Sequence, residues 1–323
     1  MTVRSDRFAI APRGAHKKPL PRLVVYGEPG VGKTTFGASA PDAILVPTED
    51  GALGVDVARV PAEGKCETWA DLLAAARVAA EADGFSWLVV DTLNAAEHLC
   101  AQHVCDRDFG GRWNTAKGQE GYSSYGKGDK ATAEEFRALL AILDAAQQKH
   151  GKGVVLLSHA GLMKSGNALG ADYQKFAGDM GKNVWSLVCG WADQVAHACR
   201  EIRVSARDGE KAKAQAIGSE RWLVFEGGPG RDAKSRAGYE MPEKVLLSWE
   251  DYAGALESDR CAALIAQAVE LIGNAVPEAR AEVEKRLGGK ATADALAKVP
   301  KQRIEALIGW LMAKQTNNGK EAA

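Results

Sequence analysis

The segment GEPGVGKT, at residues 27–34, constrains the fold of this chain more than any other stretch. It fits the pattern G-x-x-x-x-G-K-[S/T] at every fixed position, and it follows the apolar run LVVYG (23–27). A helical segment follows and has to end at Pro41. Glycines in such a loop leave backbone N–H groups free to bind phosphates at the helix N-terminus. The pattern therefore predicts a phosphate-binding loop, the P-loop, between a strand and a helix.

The P-loop pattern predicts a task for each of its residues. Lys33 is expected to reach the β- and γ-phosphates of a nucleotide, and the Thr34 hydroxyl is expected to hold Mg²⁺. The alternative is a glycine turn that carries a lysine by chance. The residues predicted to surround the nucleotide are Gly27, Glu28, Pro29, Gly30, Val31, Gly32, Lys33, Thr34 and Thr35.

Two acidic residues follow apolar runs that have the composition of buried strands. Asp91 ends the run in SWLVVDT (86–92), and Glu49 follows the run in AILVPTEDG (43–51). The carboxyl ends of parallel strands meet at one edge of a sheet, so Asp91 is expected beside the P-loop as a second Mg²⁺ contact. Glu49 is the candidate base that orients the attacking water. The alternative for Glu49 is a simple acidic turn before Gly51.

The remaining pattern alternates between strands and helices. Further strands are predicted at 153–158 and 191–199, helices at 68–83 and 134–148, and a β-hairpin from 201–207 and 221–227. Continuous apolar runs separated by helices are typical of strands buried on both faces. The chain is therefore predicted to be an α/β protein with a mostly parallel central sheet, helices on both faces and a β-hairpin extension.

Composition divides the chain into four predicted parts. These are a basic flexible arm at 1–20, a core at 21–257, a small C-terminal helical module at 258–314 and a polar tail at 315–323. Core packing is the default explanation for the apolar residues of the module, and docking of a partner such as a single-strand-binding protein is the alternative. These residues, at helical spacing, are Leu296, Val299, Ile304, Leu307, Ile308 and Leu311.

Charge and cysteine content limit the class of protein. The formal net charge of −1 leaves no global attraction to nucleic acid or to an anionic membrane, so any such affinity has to be local.

No run approaches the roughly 18 apolar residues of a membrane span, and the N-terminus lacks the apolar core of a signal peptide. Six cysteines in a chain of this length indicate free thiols, and we expect a cytoplasmic protein.

One segment, HLCAQHVC (98–105), has the residue types of a zinc site. On a helix, however, Cys105 turns away from the face that Cys100 and His103 share, and no second Cys/His pair at zinc-like spacing follows. A half-buried helix is the prediction for this segment, with zinc binding as the alternative.

The segments around the two acidic residues resemble those of RecA-type recombinases. VPTEDG resembles the strand-end glutamate of that family, and WLVVDTLNA resembles its Walker B segment. In that family one further strand separates the P-loop strand from the Walker B strand, and a polar residue at its tip contacts the γ-phosphate. GVVLLSH is the candidate for this strand, with His159 where the family commonly has glutamine. The resemblance, from about Leu20 to Tyr252, implies a RecA-like P-loop NTPase that uses ATP and Mg²⁺.

Three short segments narrow the resemblance further. They are GYSSYGKG (121–128), the sequence SHA at the end of the GVVLLSH strand (158–160) and AKSRAG (233–238). All three resemble segments of phage-encoded RecA-like ATP-binding proteins, some of which act in single-strand annealing or recombination. AKSRAG is also similar to the Lys/Arg finger of DnaB-like hexameric motors. By this resemblance Lys234 and Arg236 would reach the γ-phosphate of a neighbouring subunit, which implies a homo-oligomer in the form of a ring or a filament. A basic surface loop is the alternative.

Two glycine-rich segments, 107–130 and 161–182, follow the DNA-contacting positions of this family. Insertions without a fixed role are the alternative, although loops of this length inside a compact domain are usually functional or mobile. The residues expected to stack on bases or to meet phosphates of single-stranded DNA are Arg112, Trp113, Lys117, Tyr122, Tyr125, Lys127 and Lys164.

These patterns favour an ATPase that binds single-stranded DNA and supports phage recombination, strand annealing or replication. The alternative is a hexameric DnaB-like motor, or an ATPase that acts on protein, without annealing activity. A small-molecule kinase would need an arginine-rich lid over a second substrate pocket, and the residues after the His159 strand do not show that pattern.

Overall fold

The computed structural model describes residues 19–52, 54–115, 119–166, 170–204, 216–299 and 301–321. The strands are β1 (Arg22–Gly27), β2 (Ala43–Pro47), β3 (Ala58–Arg59), β4 (Trp87–Asp91), β5 (Gly153–Ser165), β6 (Tyr173–Gly178), β7 (Gln194–Val204), β8 (Ala216–Val224), β9 (Lys234–Ser235) and β10 (Lys244–Leu246). The helices are α1 (Lys33–Ala38), α2 (Trp69–Glu81), α3 (Leu93–Phe109), α4 (Lys127–His150), α5 (Lys182–Trp191), α6 (Trp249–Gly273), α7 (Pro277–Leu287), α8 (Ala293–Leu296) and α9 (Lys301–Glu321). Short 3-10 turns lie at Asp50–Ala52 and Ser124–Gly126.

Within the described residues, the strands of the central sheet lie in the order β10-β8-β7-β1-β5-β4-β2-β3. The strands from β7 to β3 along this order pair in parallel. β8 and β10 add an antiparallel extension at the β7 side. The predicted fold class, a mostly parallel sheet with a β-hairpin extension, is therefore confirmed.

β5 lies between the P-loop strand β1 and the Walker B strand β4. Its register sets Leu157 beside Asp91 and His159 beside Gly27. The strand order expected from the resemblance to RecA-type proteins is therefore present. The consequence for the site is that the ends of β1, β5 and β4 lie side by side at one edge of the sheet.

Alternate residues of the parallel strands pack against helices on opposite faces. Val24, Val90 and Leu156 belong to the core that α2, α3, α4 and α5 cover. Their neighbours along the strands point the other way, and Val89 and Leu157 contact α1 at Gly37, where an added Cβ would lie 2.9 Å from a Val89 methyl. Because both faces are covered, each strand has to be apolar at every position, which explains the continuous runs in the sequence.

The segment 161–182, predicted as a glycine-rich loop, is mostly a β-hairpin. β5 continues past the edge of the central sheet to Ser165, and β6 pairs with it in antiparallel register from Ala160–Gly178 to Ser165–Tyr173. Cross-strand pairs such as Leu162–Phe176 supply the packing that a lone glycine-rich segment lacks. This pairing is not encoded by local composition, so the sequence pattern did not reveal it.

Other element boundaries also differ from the predicted ones. The predicted fifth strand and the first arm of the predicted hairpin form one continuous strand, β7, and Trp191 belongs to the helix before it. Helix α4 begins at Lys127, seven residues before the predicted start, so the predicted 107–130 loop is shorter than expected. The pairing of β7 with β8 bears out the hairpin itself.

The chain divides into one compact unit at Pro19–Ala253 and a second that includes Gly254 onward. In the second unit Leu296, Ile304, Ile308 and Leu311 are buried together, with Leu307 and Val299 packed against them. The predicted domain boundaries stay a prediction, and most of the predicted arm, residues 1–18, lies outside the described residues. In the part of the chain that the structure covers, no helix has the length and apolar character that a membrane crossing requires.

Two glycine-to-alanine changes test the packing of β5. At Gly153 an added Cβ would lie 2.2 Å from the Trp87 ring of the paired strand, whereas at Gly190 in α5 no atom lies within 4 Å. We expect Gly153→Ala to destabilise the fold by about 1–3 kcal/mol through overpacking. We expect Gly190→Ala to stabilise it by about 0.5–1 kcal/mol. Urea denaturation followed by tryptophan fluorescence measures both; equal effects of the two changes would contradict the packing described for Gly153.

Candidate active site

The P-loop adopts a conformation that its glycines make possible. Gly30 and Gly32 have φ angles of 74° and 112°, in the left-handed region that residues with a side chain rarely adopt. Gly27 ends β1 so close to β7 that an added Cβ would lie 2.3 Å from the Ala198 carbonyl oxygen. The loop then leads directly into α1, which begins at Lys33.

Lys33 is buried inside the loop, with 5% of its surface exposed. Its Nζ donates hydrogen bonds to the Gly27 and Glu28 carbonyl oxygens, at 2.8 and 3.0 Å. Burial lowers the pKa of Lys33, and the nearby Asp91 and Glu49 carboxylates act in the opposite direction. The ammonium group is therefore held among acceptors, in a position where phosphate oxygens can take their place.

Thr34 and Asp91 form the contact between the P-loop helix and β4. The Thr34 hydroxyl donates to Asp91 Oδ2 at 2.7 Å, and Asp91 is only 4% exposed. Burial raises the pKa of Asp91, while the hydrogen bond from Thr34 and the charge of Lys33 lower it. The pair supplies two hard oxygen donors next to a phosphate-binding loop, which fits Mg²⁺, a cation that binds few protein oxygens and completes its shell with water and phosphate.

Glu49 projects from the end of β2 toward the same edge. Its Oε1 accepts a hydrogen bond from the Thr92 hydroxyl at 2.5 Å, and its Oε2 lies 3.4 Å from His159 Nε2. The other ring nitrogen of His159, Nδ1, is buried without a hydrogen-bond partner among the described residues. Glu49 is thus held by residues from two neighbouring strand ends, with its carboxylate partly exposed.

A pair of threonines fixes the distance between the ends of β2 and β4. The Thr92 backbone N–H donates to Thr48 Oγ1 at 2.6 Å, and the Thr48 hydroxyl donates to the Thr92 carbonyl at 2.8 Å. Both residues are buried, and the Asp91–Thr92 peptide bond is cis. The two hydrogen bonds between Thr48 and Thr92 set the position of Glu49, which follows Thr48 directly.

Asn94 holds β5 where that strand leaves the central sheet. Its Oδ1 accepts from the Ser158 hydroxyl at 3.0 Å and from the His159 backbone N–H at 2.8 Å. Its Nδ2 donates to the Asp179 carbonyl at 2.5 Å, after the end of β6. Thr48, Thr92 and Asn94 were not predicted as site residues. The available signal was their position, because Thr48 and Thr92 directly follow β2 and β4 and Asn94 lies in the first turn of α3.

The structure brings Lys33, Thr34, Glu49, Asp91 and His159 together at the carboxyl edge of the sheet, where they were predicted to meet. The roles predicted for these residues remain predictions. Among the described residues, no group of three or more His, Cys, Asp or Glu side chains could hold a metal ion by itself.

Lys234 and Arg236 lie near the amino ends of the parallel strands, away from the edge that carries the P-loop. Lys234 pairs with Val195, which lies beside Val24 in the middle of β1, and the Arg236 backbone N–H donates to the Asp193 carbonyl at 2.9 Å. The Arg236 guanidinium donates to the Gly190 carbonyl and lies 3.5 Å from the Asp193 carboxylate. Neither residue reaches the P-loop of its own chain, because β9 pairs with the beginning of β7. Their finger role in a neighbouring subunit stays a prediction.

Tyr122 does not fit the base-stacking role predicted for it. It is 9% exposed, its hydroxyl is 2.7 Å from the Thr132 hydroxyl, and its ring packs 4.8 Å from Trp113 and 5.9 Å from Phe109. These contacts place Tyr122 in a small core between α3 and α4. Its position in a glycine-rich stretch concealed this role, since burial comes from the helices on either side.

The other predicted DNA contacts lie on the surface or outside the described residues. Tyr125 is 90% exposed. Lys127 forms an ion pair with Glu120, and Lys164 pairs with Asp172 at 2.7 Å. Arg112 and Trp113 are also exposed. Lys117 lies outside the described residues.

The strand order, the P-loop and the buried Asp91 define an α/β protein that carries a P-loop at the carboxyl edge of a mostly parallel sheet. Residues 20–237 match the family described as AAA domain, and the chain belongs to that family. No curated protein matches the chain. Among solved structures, the chain is similar to the KaiC-like protein PH0186 from the hyperthermophilic archaeon Pyrococcus horikoshii OT3. That match has 12% identity and a TM-score of 0.33, and it covers 63% of this chain and 78% of that one.

The raised pKa of Asp91 leads to a prediction about stability. The folded chain holds the Asp91 proton more tightly than the unfolded chain does, so the contribution of this group falls as the pH rises above its ordinary pKa of 3.8. At neutral pH its buried charge therefore opposes folding. Asp91→Asn removes the charge and keeps an acceptor for Thr34, so we expect a higher melting temperature than wild type at pH 7 without nucleotide.

Differential scanning fluorimetry at pH 7 and pH 4 measures this effect. The gain should shrink at pH 4, where the wild-type carboxyl group is closer to its protonated state. Asp50→Asn is the control, because the Asp50 side chain is exposed and its one ion pair among the described residues is with Lys65. A melting temperature for Asp91→Asn below that of wild type at pH 7 would contradict the prediction.

Proposed function

We propose that this protein is a Mg²⁺-dependent RecA-like ATPase that binds single-stranded DNA and supports phage recombination, strand annealing or replication. Membership of the AAA domain family supports the ATPase class. The observation that carries the DNA role is the course of β5. One strand bears His159 at the active site and continues, six residues on, to Ser165 in the exposed hairpin formed with β6.

In the proposed reaction each residue of the site has a defined task. The Lys33 ammonium moves from the loop carbonyls to the phosphate oxygens of ATP. Thr34 and Asp91 would hold Mg²⁺, which when bound neutralises phosphate charge. The attacking water donates a hydrogen bond to the Glu49 carboxylate, which the Thr92 hydroxyl keeps in place. The His159 ring lies close enough to Glu49 to form a hydrogen bond with a γ-phosphate bound there.

The contacts of His159 support a link between the nucleotide and the hairpin. Its backbone N–H is bound by Asn94, and its carbonyl accepts from the Asp179 N–H at 2.8 Å, just after β6. Asn94 also binds the Asp179 carbonyl. If His159 moved toward a bound phosphate, β5 and the end of β6 would therefore move with it. Bound ligands order mobile segments in this way in nucleotide switches.

The exposed apolar, aromatic and cationic side chains of the hairpin support the DNA role. Leu162 is 61% exposed, Phe176 and Tyr173 are partly exposed aromatic residues, and Lys164 is a cation on the same hairpin. Exposed rings beside cations form stacking platforms that accept any base. Because the chain has a net charge of only −1, binding would depend on these local groups and would weaken with salt.

A hexameric DnaB-like motor, or a protein-directed ATPase without annealing activity, is the second candidate. The position of Arg236 favours an assembly of this kind, because it lies partly exposed at the sheet edge away from its own P-loop. In a ring or a filament such a residue can complete the site of a neighbour. Electron microscopy of the protein with ATP and single-stranded DNA distinguishes a ring from a filament.

Two substitutions test the hydrolytic site. We expect Lys33→Ala to abolish ATP turnover, because it removes the cation that the loop encloses. We expect Glu49→Gln to retain ATP binding and to lower turnover by about 10²–10⁴-fold, the usual contribution of a general base. Phosphate release under saturating ATP measures turnover. Asp50→Asn, a change at the exposed neighbouring carboxylate, serves as the control and should keep wild-type turnover; full activity of Glu49→Gln would remove Glu49 from the mechanism.

A second experiment tests DNA binding. Phosphate release is measured with and without single-stranded oligonucleotides, and fluorescence anisotropy follows binding between 50 and 200 mM salt, a range chosen because phosphate contacts lose affinity steeply across it, by roughly tenfold or more. We expect DNA to stimulate turnover, and we expect Phe176→Ser combined with Lys164→Gln to weaken binding about tenfold or more.

Val78→Ser is the matched control for that experiment, since Val78 is an exposed apolar residue on α2, outside both predicted DNA segments. It should bind DNA as wild type does. If DNA neither stimulates turnover nor binds in a salt-sensitive way, the DNA role is wrong and the ATPase assignment stands alone.

A further inference from the structure

Two arginines of the antiparallel pair β7–β8 face each other next to the P-loop. Arg200 of β7 lies directly opposite Arg221 of β8 in the strand register. Like charges in this position repel each other, at a typical cost of a few tenths of a kcal/mol to about 1 kcal/mol. Among the described residues, no carboxylate forms an ion pair with either arginine. Both arginines are exposed, so water solvates their charges, and an anion bound beside them would add a favourable attraction.

Both guanidinium groups contact the P-loop backbone. Arg200 Nη2 donates to the Gly30 carbonyl oxygen at 2.7 Å, and Arg221 Nη1 donates to the Val31 carbonyl oxygen at 3.4 Å. An added Cβ at Gly32 would lie 2.8 Å from Arg221 Nη1. The glycine at this position therefore serves two purposes: it permits the left-handed backbone, and it leaves space for the guanidinium.

We propose that Arg200 and Arg221 are positioning residues for the nucleotide: they orient the P-loop peptides and place positive charge beside the phosphates. The proposal rests on the ATP binding proposed above. Each contacted carbonyl belongs to a peptide unit whose N–H is on the next residue, Val31 for the Gly30 carbonyl and Gly32 for the Val31 carbonyl. A cation on the oxygen holds the peptide plane and polarises the opposite N–H. The Val31 N–H donates to the Glu28 carbonyl at 3.3 Å, so Arg200 steadies this turn of the loop, whereas Arg221 acts on the peptide whose Gly32 N–H would meet a phosphate.

The parallel pairing of β7 with β1 explains why Arg200 lies beside the P-loop. β7 is the direct neighbour of β1, and Ala198 lies beside Gly27, the last residue of β1. Arg200 is two residues further along β7, so it lies beyond the end of β1, next to the P-loop. A polyphosphate bound in the loop would place negative charge beside both guanidinium groups. Hydrogen bonds from charged donors are the stronger ones in proteins, so their loss is expected to weaken nucleotide binding measurably.

The test compares Arg200→Gln, Arg221→Gln and the double variant with wild type. Binding of the N-methylanthraniloyl derivatives of Mg-ADP and Mg-ATP is measured by fluorescence titration. We expect Arg200→Gln to raise the Kd about tenfold, and Arg221→Gln to raise it less because its hydrogen bond is longer. ADP and ATP should be affected equally, since the contacts act on the loop and not on the γ-phosphate. Turnover at saturating ATP should stay within about threefold of wild type, while KM rises.

Two controls separate this role from a structural one. Lys244→Gln removes a cation from the neighbouring strand β10, where it pairs with Glu201 and does not touch the P-loop, and it should bind nucleotide as wild type does. Arg200→Lys retains a charged donor and should recover most of the affinity. The melting temperature without nucleotide should not fall in either glutamine variant, because relief of the repulsion between the two cations offsets the lost hydrogen bond. The increase caused by Mg-ADP should be smaller than in wild type.

The outcomes distinguish this inference from the proposed function. If wild type binds nucleotide and both arginine variants bind it equally well, the inference is overturned and the ATPase assignment stands. An apo melting temperature that falls in step with the lost affinity would show a merely structural role and would also overturn it. If wild-type protein binds neither nucleotide, the proposed function and this inference both fail.

Discussion

The parallel pairing of β5 with both β1 and β4 is the constraint on which the rest of the structure depends. It aligns Gly27 with His159 and Leu157 with Asp91, so the ends of β1 and β4 lie beside the point where β5 leaves the central sheet. The P-loop, the buried carboxylate and the histidine are therefore neighbours, although they are far apart in the chain. The hydrogen bond from Thr34 to Asp91 then closes the site across the width of β5.

The electrostatics of the site depend on two opposite charges that are both removed from water. Burial lowers the pKa of Lys33 and raises that of Asp91, so each group is held in an environment that disfavours its charged form. The charge of each residue partly compensates the burial of the other. In the proposed function, a nucleotide phosphate beside Lys33 and a cation beside Asp91 would complete this compensation.

The strands on both sides of β1 contribute residues to the site. On one side β5 carries His159 and then forms the exposed hairpin with β6, so the same strand serves the reaction centre and a surface. On the other side β7 and β8 bring Arg200 and Arg221 to the loop backbone. The P-loop is therefore held between two antiparallel additions to an otherwise parallel sheet. Both additions depend on pairing between strands that local sequence does not specify.

The sequence by itself determined the P-loop, the apolar strands and the acidic residues at their ends, because each is a local pattern of glycine, apolar and charged residues. It also indicated the strand order, through the resemblance that placed GVVLLSH between the other two strands. Tertiary structure alone decided that Tyr122 is buried, that 161–182 forms a hairpin, and that Arg236 lies away from its own P-loop. Arg200 and Arg221 contact loop residues 170 and 190 positions away in the chain. Contacts at that separation depend on how strands pair and pack, and no local spacing of residues records them.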